Sequence, residues 1–164
     1  MTARRLLTQA RIGVLMGGQS SEREVSLRTG AAVHGALSRR GYDAVTIDVG
    51  PTLSQDVQEQ RIALAFLALH GPGGEDGSIQ GFLETLGIPY TGSGVHASAV
   101  GMHKVTTKTV LAAHGIPVPA GLVIKRGERM SSTGALRAVK LRWPVVVKPA
   151  SEGSTIGVTI VRKP

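Results

Sequence analysis

Histidine, glutamate, lysine and small hydroxyl residues stand beside glycines at three places in this chain, and those places could do chemistry. The first is His70-Gly-Pro-Gly-Gly-Glu-Asp-Gly-Ser-Ile-Gln-Gly81, directly after the apolar run Ile62–Leu69. Eight apolar residues suit a strand buried on both faces, and the glycines that follow free the backbone for close approach of another molecule. Glu75, Asp76 and Ser78 then sit where a helix would open, where acids suit the positive end of its dipole. His70 thus leaves the carboxyl end of a buried strand, the usual ligand edge of an open α/β sheet. A tight strand-to-helix turn with a surface histidine explains the same residues.

The second place is Gly17-Gly-Gln-Ser-Ser-Glu22, after the short apolar run Ile12–Met16. Glu22 belongs in the first turn after that strand, at the same sheet edge as His70, where a carboxylate could hold a substrate ammonium or simply favour the helix dipole. The third is Lys148 with Ser151, Gly153, Ser154 and Thr155, after the apolar Val145–Val147. A lysine beside hydroxyls and free amides can neutralise and cradle a phosphate; a plain hairpin is the other reading. Lys104 and Lys108 lie four apart, on one helical face. Neither glycine loop has dinucleotide-fingerprint or Walker spacing, and Asp48 reads as an ordinary strand-end carboxylate.

The elements that must position these groups alternate. Strands are expected at Ile12–Met16, Val45–Val49 and Ile62–Leu69. Ser21 and Glu24 fit a capping box for a helix whose apolar side is Val25, Ala32, Val33, Ala36 and Leu37, ending at Gly41. Residues 51–61 form a loop or a short exposed helix. A brief extended piece follows at Ile88–Thr91, then a helical stretch Val95–His114 with a break at Gly101. Gly115-Ile-Pro-Val-Pro119 reads as a linker. Beyond it, strands are expected at Leu122–Ile124, Pro144–Val147 and Val158–Val161, with a helix at Thr133–Leu141. This is an α/β chain: a Rossmann-like parallel-sheet domain over residues 1–116, then the beginning of a smaller α/β unit over 117–164.

The net charge of +8, from 19 basic and 11 acidic residues, fits nucleic acid or phosphate-bearing small molecules. With one Trp, two Tyr and two Phe there is no stacking platform for nucleic acid, so small phosphates are the expected partner. No apolar run approaches the roughly 20 residues that cross a bilayer. The N-terminus lacks the apolar centre of a signal peptide. The absence of cysteine excludes disulfides and thiol catalysis.

Taken together and in order, these stretches resemble the D-alanine–D-alanine ligases of the ATP-grasp superfamily. The resemblance rests on Gly17–Ser26, His70–Gly81, Pro89-Tyr-Thr-Gly-Ser-Gly94, Lys104, Gly115–Pro119 and Val147–Gly157. It implies ATP-dependent joining of two D-alanines through an acyl phosphate, for peptidoglycan, by a cytoplasmic enzyme that uses magnesium. It implies that Glu22 holds the ammonium of the first D-alanine and that His70 lies near its carboxylate. Lys104, Lys148, Gly153, Ser154 and Thr155 are implied to bind ATP, with Ser154 also linked to Glu22 and to proton handling. The adenine-binding strand, a transition-state arginine and the magnesium ligands belong to a family region with no counterpart in these 164 residues. The metal site is therefore expected outside the chain, and the chain alone is expected to be inactive. His103 stands where many relatives carry aspartate. A non-catalytic binding module and a D-alanine–D-lactate type ligase are the alternatives, and a homodimer stays open.

Overall fold

The computed structural model describes residues 10–128 and 141–163. Contacts divide the chain into two units, Met1–Met102 and His103–Pro164. That division falls before the Ile116 boundary read from the proline-bearing linker.

The first unit is a parallel sheet of β1 (Ile12–Met16), β2 (Ala44–Asp48) and β3 (Leu64–Leu67), in the order β2-β1-β3. Both pairings start at Ile12, opposite Ala44 and Leu64. A bridge from Ala65 to Tyr90 extends the sheet by one position, which accounts for the extended piece at 88–91. As the central strand, β1 is covered on both sides: Ile12, Val14 and Leu15 are all buried. β3 is shorter than the eight apolar residues suggest. Its flanks Ile62, Ala68 and Leu69 are nonetheless buried, so the run is apolar because of packing rather than ladder length.

One core joins Leu15, Ile47, Ile62, Ala65 and Leu69 to Val57 of α2 (Leu53–Glu59) and to Ile79 and Leu83 of α3 (Ser78–Thr85). Helix α1 (Arg23–Arg39) packs with a face different from the one expected. Its buried residues are Ser26 and Gly30, four apart, while Val25 is 41% exposed and Ala32 also faces solvent. The reason is steric. A Cβ at Gly30 would come within 2.5 Å of Met16 Cβ and closer still to its sulfur, so only a bare backbone fits there. The capping box is also absent. Glu22 is the N-cap residue without a side-chain capping bond, and the hydroxyl that accepts its amide belongs to Ser20, not Ser21.

The stretch 95–114 forms α4 (Val95–Met102) and α5 (Lys104–Ala113), broken at His103 rather than at Gly101. In the second unit β4 (Val145–Val147) and β5 (Thr159–Val161) pair antiparallel. Leu122–Ile124, expected as a strand, pairs with no strand among the described residues, and its side chains are exposed. The helix expected at Thr133–Leu141 lies outside the described residues except for Leu141.

Gly30→Ala tests the close approach of α1 to β1. In an open helix the change should stabilise by about 1 kcal/mol. Here overpacking against Met16 should reverse the sign, with a net loss of about 1–2 kcal/mol in urea unfolding. A variant as stable as the parent would show that the contact relaxes freely.

Candidate active site

Because β1 and β3 run parallel, the loops that follow them leave the same edge of the sheet. Ser26, fully buried, ties those two strand ends together: its hydroxyl accepts from Gly17 N (2.8 Å) and donates to Ala68 O (2.8 Å). Two residues beyond Ala68 stands His70. Its carbonyl accepts from Ser20 Oγ at 2.7 Å, and the same Ser20 Oγ accepts from Glu22 N at 3.2 Å. One hydroxyl therefore joins the backbones of the two residues expected to meet the first substrate. Glu22 Oε2 is buried and has no hydrogen-bond partner. An unpaired carboxylate oxygen held away from water is costly until a cation or donor reaches it. Gly71, with φ 73°, lies so close that a Cβ there would stand 3.0 Å from that oxygen. The imidazole of His70 meets Thr29 Oγ1 through Nε2 at 3.2 Å.

The acids of the glycine loop hold the loop itself. Glu75 accepts from Gly71 N (2.7 Å), and Asp76 accepts from Gly73 N (2.8 Å) and Ser78 N (3.0 Å). Gln80, buried on α3, donates to Gly74 O. Burial works against the charge of Asp76, but the amides of Gly73 and Ser78 outweigh it and hold the carboxyl below its ordinary value. A cavity of about 390 Å³ opens at this edge, with Gly18, Ser20, His70 and Gly73 among its walls. Nearby, Asp48 accepts from the two terminal guanidinium nitrogens of Arg23, Nη1 at 2.7 Å and Nη2 at 2.5 Å. The hydrogen bonds from Arg23 lower the Asp48 carboxyl against the effect of burial, with help from the guanidinium charge and from the Gly18 amide. Asp48 thus fixes the first turn of α1 and is more than a plain strand-end acid.

In the second unit Lys104 is anchored on the 150–157 loop. Its amide donates to Ala150 O (2.9 Å) and its Nζ to Glu152 O (2.5 Å). Lys108, its neighbour on the helix face, donates to Pro119 O, so neither lysine is simply solvated. The loop turns through Ser154, a non-glycine residue with φ 51°, and closes with bonds from Ile156 N to Gly153 O and from Val158 N to Thr155 O. Gly153 is half-buried; Ser154, Thr155 and Lys148 are exposed. His103 serves as N-cap of α5, Nδ1 accepting from Thr106 N, so a ring nitrogen does there what a carboxylate oxygen would do.

Glu22 and His70 are therefore brought together in one unit, and Lys104 and the Gly153–Thr155 loop in the other. Sequence reasoning missed Ser20, Ser26 and Thr29. A polar residue at 26 and a hydroxyl at 29, on a helix otherwise read for its apolar side, were the available signal. Among the described residues there is no group of three or more His, Cys, Asp and Glu that could hold a metal ion.

The folded-state carboxyl of Asp76 lies below its reference value of 3.8. Its stabilising effect is then complete above that value and lost as pH falls through the folded-state value. Asp76→Asn should lower the melting temperature at neutral pH, and the gap from the parent should shrink below pH 3.8. A gap that stays constant into acid would remove the charge of Asp76 from the account.

Comparison with known proteins matches both units. The model for the D-ala D-ala ligase N-terminus covers residues 11–55 and 49–93, and that for the D-ala D-ala ligase C-terminus covers residues 110–164. The D-alanine–D-alanine ligase of Desulforudis audaxviator is 56% identical over 93% of this chain and 49% of its own length. The crystal structure of the Bacillus anthracis D-alanine–D-alanine ligase is 41% identical with a TM-score of 0.81, over 94% of this chain and 50% of that one. Its complex with ATP gives a TM-score of 0.78. The chain spans about half the length of the curated relatives it matches. With the glutamate–histidine edge in one unit and the lysine-anchored loop in the other, both inside matched segments, the chain belongs to the D-alanine–D-alanine ligase family.

Proposed function

We propose that this chain supplies the first-substrate edge and part of the ATP-binding loop of a cytoplasmic D-alanine–D-alanine ligase that serves peptidoglycan synthesis. The observation that carries the reading is Glu22 Oε2, a buried carboxylate oxygen without a partner at the ligand edge of the sheet. The ammonium of D-alanine would supply the missing charge and donors. His70, bonded through Ser20 to the Glu22 backbone, is assigned to the carboxylate end of the same substrate. Lys104, Lys148, Gly153, Ser154 and Thr155 are assigned to the phosphates of ATP. The support is the anchored lysine and a loop whose Gly153, Ser154 and Thr155 amides are not taken up by its closing bonds. Ser154 is further assigned to the proton leaving the attacking amine.

In the proposed reaction a carboxylate oxygen of the first D-alanine takes the γ-phosphoryl group and ADP leaves. The amine of the second D-alanine then attacks the acyl carbon, loses a proton and expels phosphate. Phosphoryl transfer asks for positioned cations and amides more than for a covalent catalyst, and the loop offers that kind of group. Magnesium belongs to the reading, but its ligands are not assigned to this chain and no step is derived through it.

The test is Glu22→Gln in a full-length ligase built on this chain. A charge-assisted hydrogen bond contributes roughly 1.5–3 kcal/mol, so the Michaelis constant for the first D-alanine should rise about ten- to a hundredfold. The Glu22 side chain makes no capping bond, so the start of α1 and the melting temperature should be kept. An unchanged constant at normal stability would rule out the role. The 164-residue chain alone should release no ADP on addition of D-alanine.

A further inference from the structure

Thr29 Oγ1 has two neighbours. One is Val25 O at 3.0 Å, a carbonyl that can only accept. The other is His70 Nε2 at 3.2 Å. A hydroxyl has a single hydrogen, and the carbonyl claims it, so toward the imidazole Thr29 can only accept. With the hydroxyl hydrogen on Val25 O, the hydrogen in that contact comes from the ring. We propose that Thr29 is a positioning residue that fixes His70 as the Nε2-protonated tautomer, leaving Nδ1 as the ring atom offered to a ligand.

The surroundings fit this assignment. No described residue hydrogen-bonds to His70 Nδ1, whereas the backbone of His70 is pinned by Ser20 Oγ at its carbonyl. The residue lines the cavity at the strand edge. Held at one ring nitrogen and at the backbone, the imidazole has little freedom to turn over. The Nε2–H bond to Thr29 exists in both the neutral and the protonated ring. The neutral ring therefore presents Nδ1 as a hydrogen-bond acceptor. For a bound carboxylate, the role given to Nδ1 rests on the ligase reading above; the tautomer itself does not.

Ring spectra of the 15N-labelled 164-residue chain, recorded above neutral pH, test the proposal, with the His70 signals assigned by their loss in His70→Gln. The expected parent spectrum shows a protonated Nε2, a bare Nδ1 and a slowly exchanging Nε2–H. Thr29→Val keeps the shape without the hydroxyl. It should give an averaged ring and roughly tenfold faster exchange of that proton, while Thr29→Ser restores the parent pattern. Thr29→Ala, with amide spectra as the check on folding, replaces the valine variant if that one does not fold. A parent ring protonated at Nδ1, or averaged between both nitrogens, overturns the proposal by itself. So does a hydroxyl-free variant with unchanged ring signals. D-alanine-dependent turnover of the full-length enzyme is a separate readout, so failure of the ligase reading and failure of the Thr29 assignment are told apart.

Discussion

The first unit depends on how closely α1 can lie against β1. Gly30 lets the helix backbone touch Met16, and Ser26, one turn earlier, fills the remaining gap with a hydroxyl that bonds to the ends of two strands at once. Small residues at these two positions do different work. The glycine sets the distance, and the serine turns that distance into a fixed spacing between the loop at Gly17 and the loop at His70. A larger apolar residue at position 26 would bury more surface but leave the Gly17 amide and the Ala68 carbonyl unpaired in the interior, at about 1–3 kcal/mol for each group. Glu22, Ser20, Thr29 and His70 all hang from this frame.

Much of the architecture is legible in the sequence because apolar runs and glycine stops are strong signals. The strands at Ile12 and Val45, the helix after Gly77 and the loop after Val147 follow from them. The facing side of α1 is not legible in this way. Periodicity counts apolar residues, and this helix buries a serine and a glycine while leaving Val25 in water. Leu122–Ile124 differs for the opposite reason: Val123 and Ile124 favour a strand, but such residues form one only where a neighbour offers a ladder, and none does among the described residues. Capping shows a finer limit. Ser20 and Ser21 are adjacent and chemically identical, and only the backbone path into Glu22 decides which hydroxyl meets its amide.

The candidate site was readable by residue type and poorly readable by mechanism. Glu22 and His70 stand out because each lies beyond a strand end and beside a glycine turn. Their link through Ser20 is a contact between segments 50 residues apart, which local pattern does not contain. Glu75 and Asp76 look from the sequence like helix-dipole acids; in space they are acceptors for the amides of their own loop. The unpaired oxygen of Glu22 stands out against these two satisfied acids of the neighbouring loop; among the described carboxylates it shares that state with Glu152 Oε2 of the second unit.

The four glycines between 71 and 77 are unequal in what they tolerate. A side chain at Gly71 would press on Glu22, at Gly74 on Leu69, and at Gly77 on the carbonyl of Val95. Gly73 has open space around the position of a Cβ, and its only obstacle is a φ of 85°. That backbone is natural for a residue of opposite handedness. A D-amino acid introduced at position 73 by chemical ligation would therefore meet no backbone strain, at a point of the loop that lies beside the cavity.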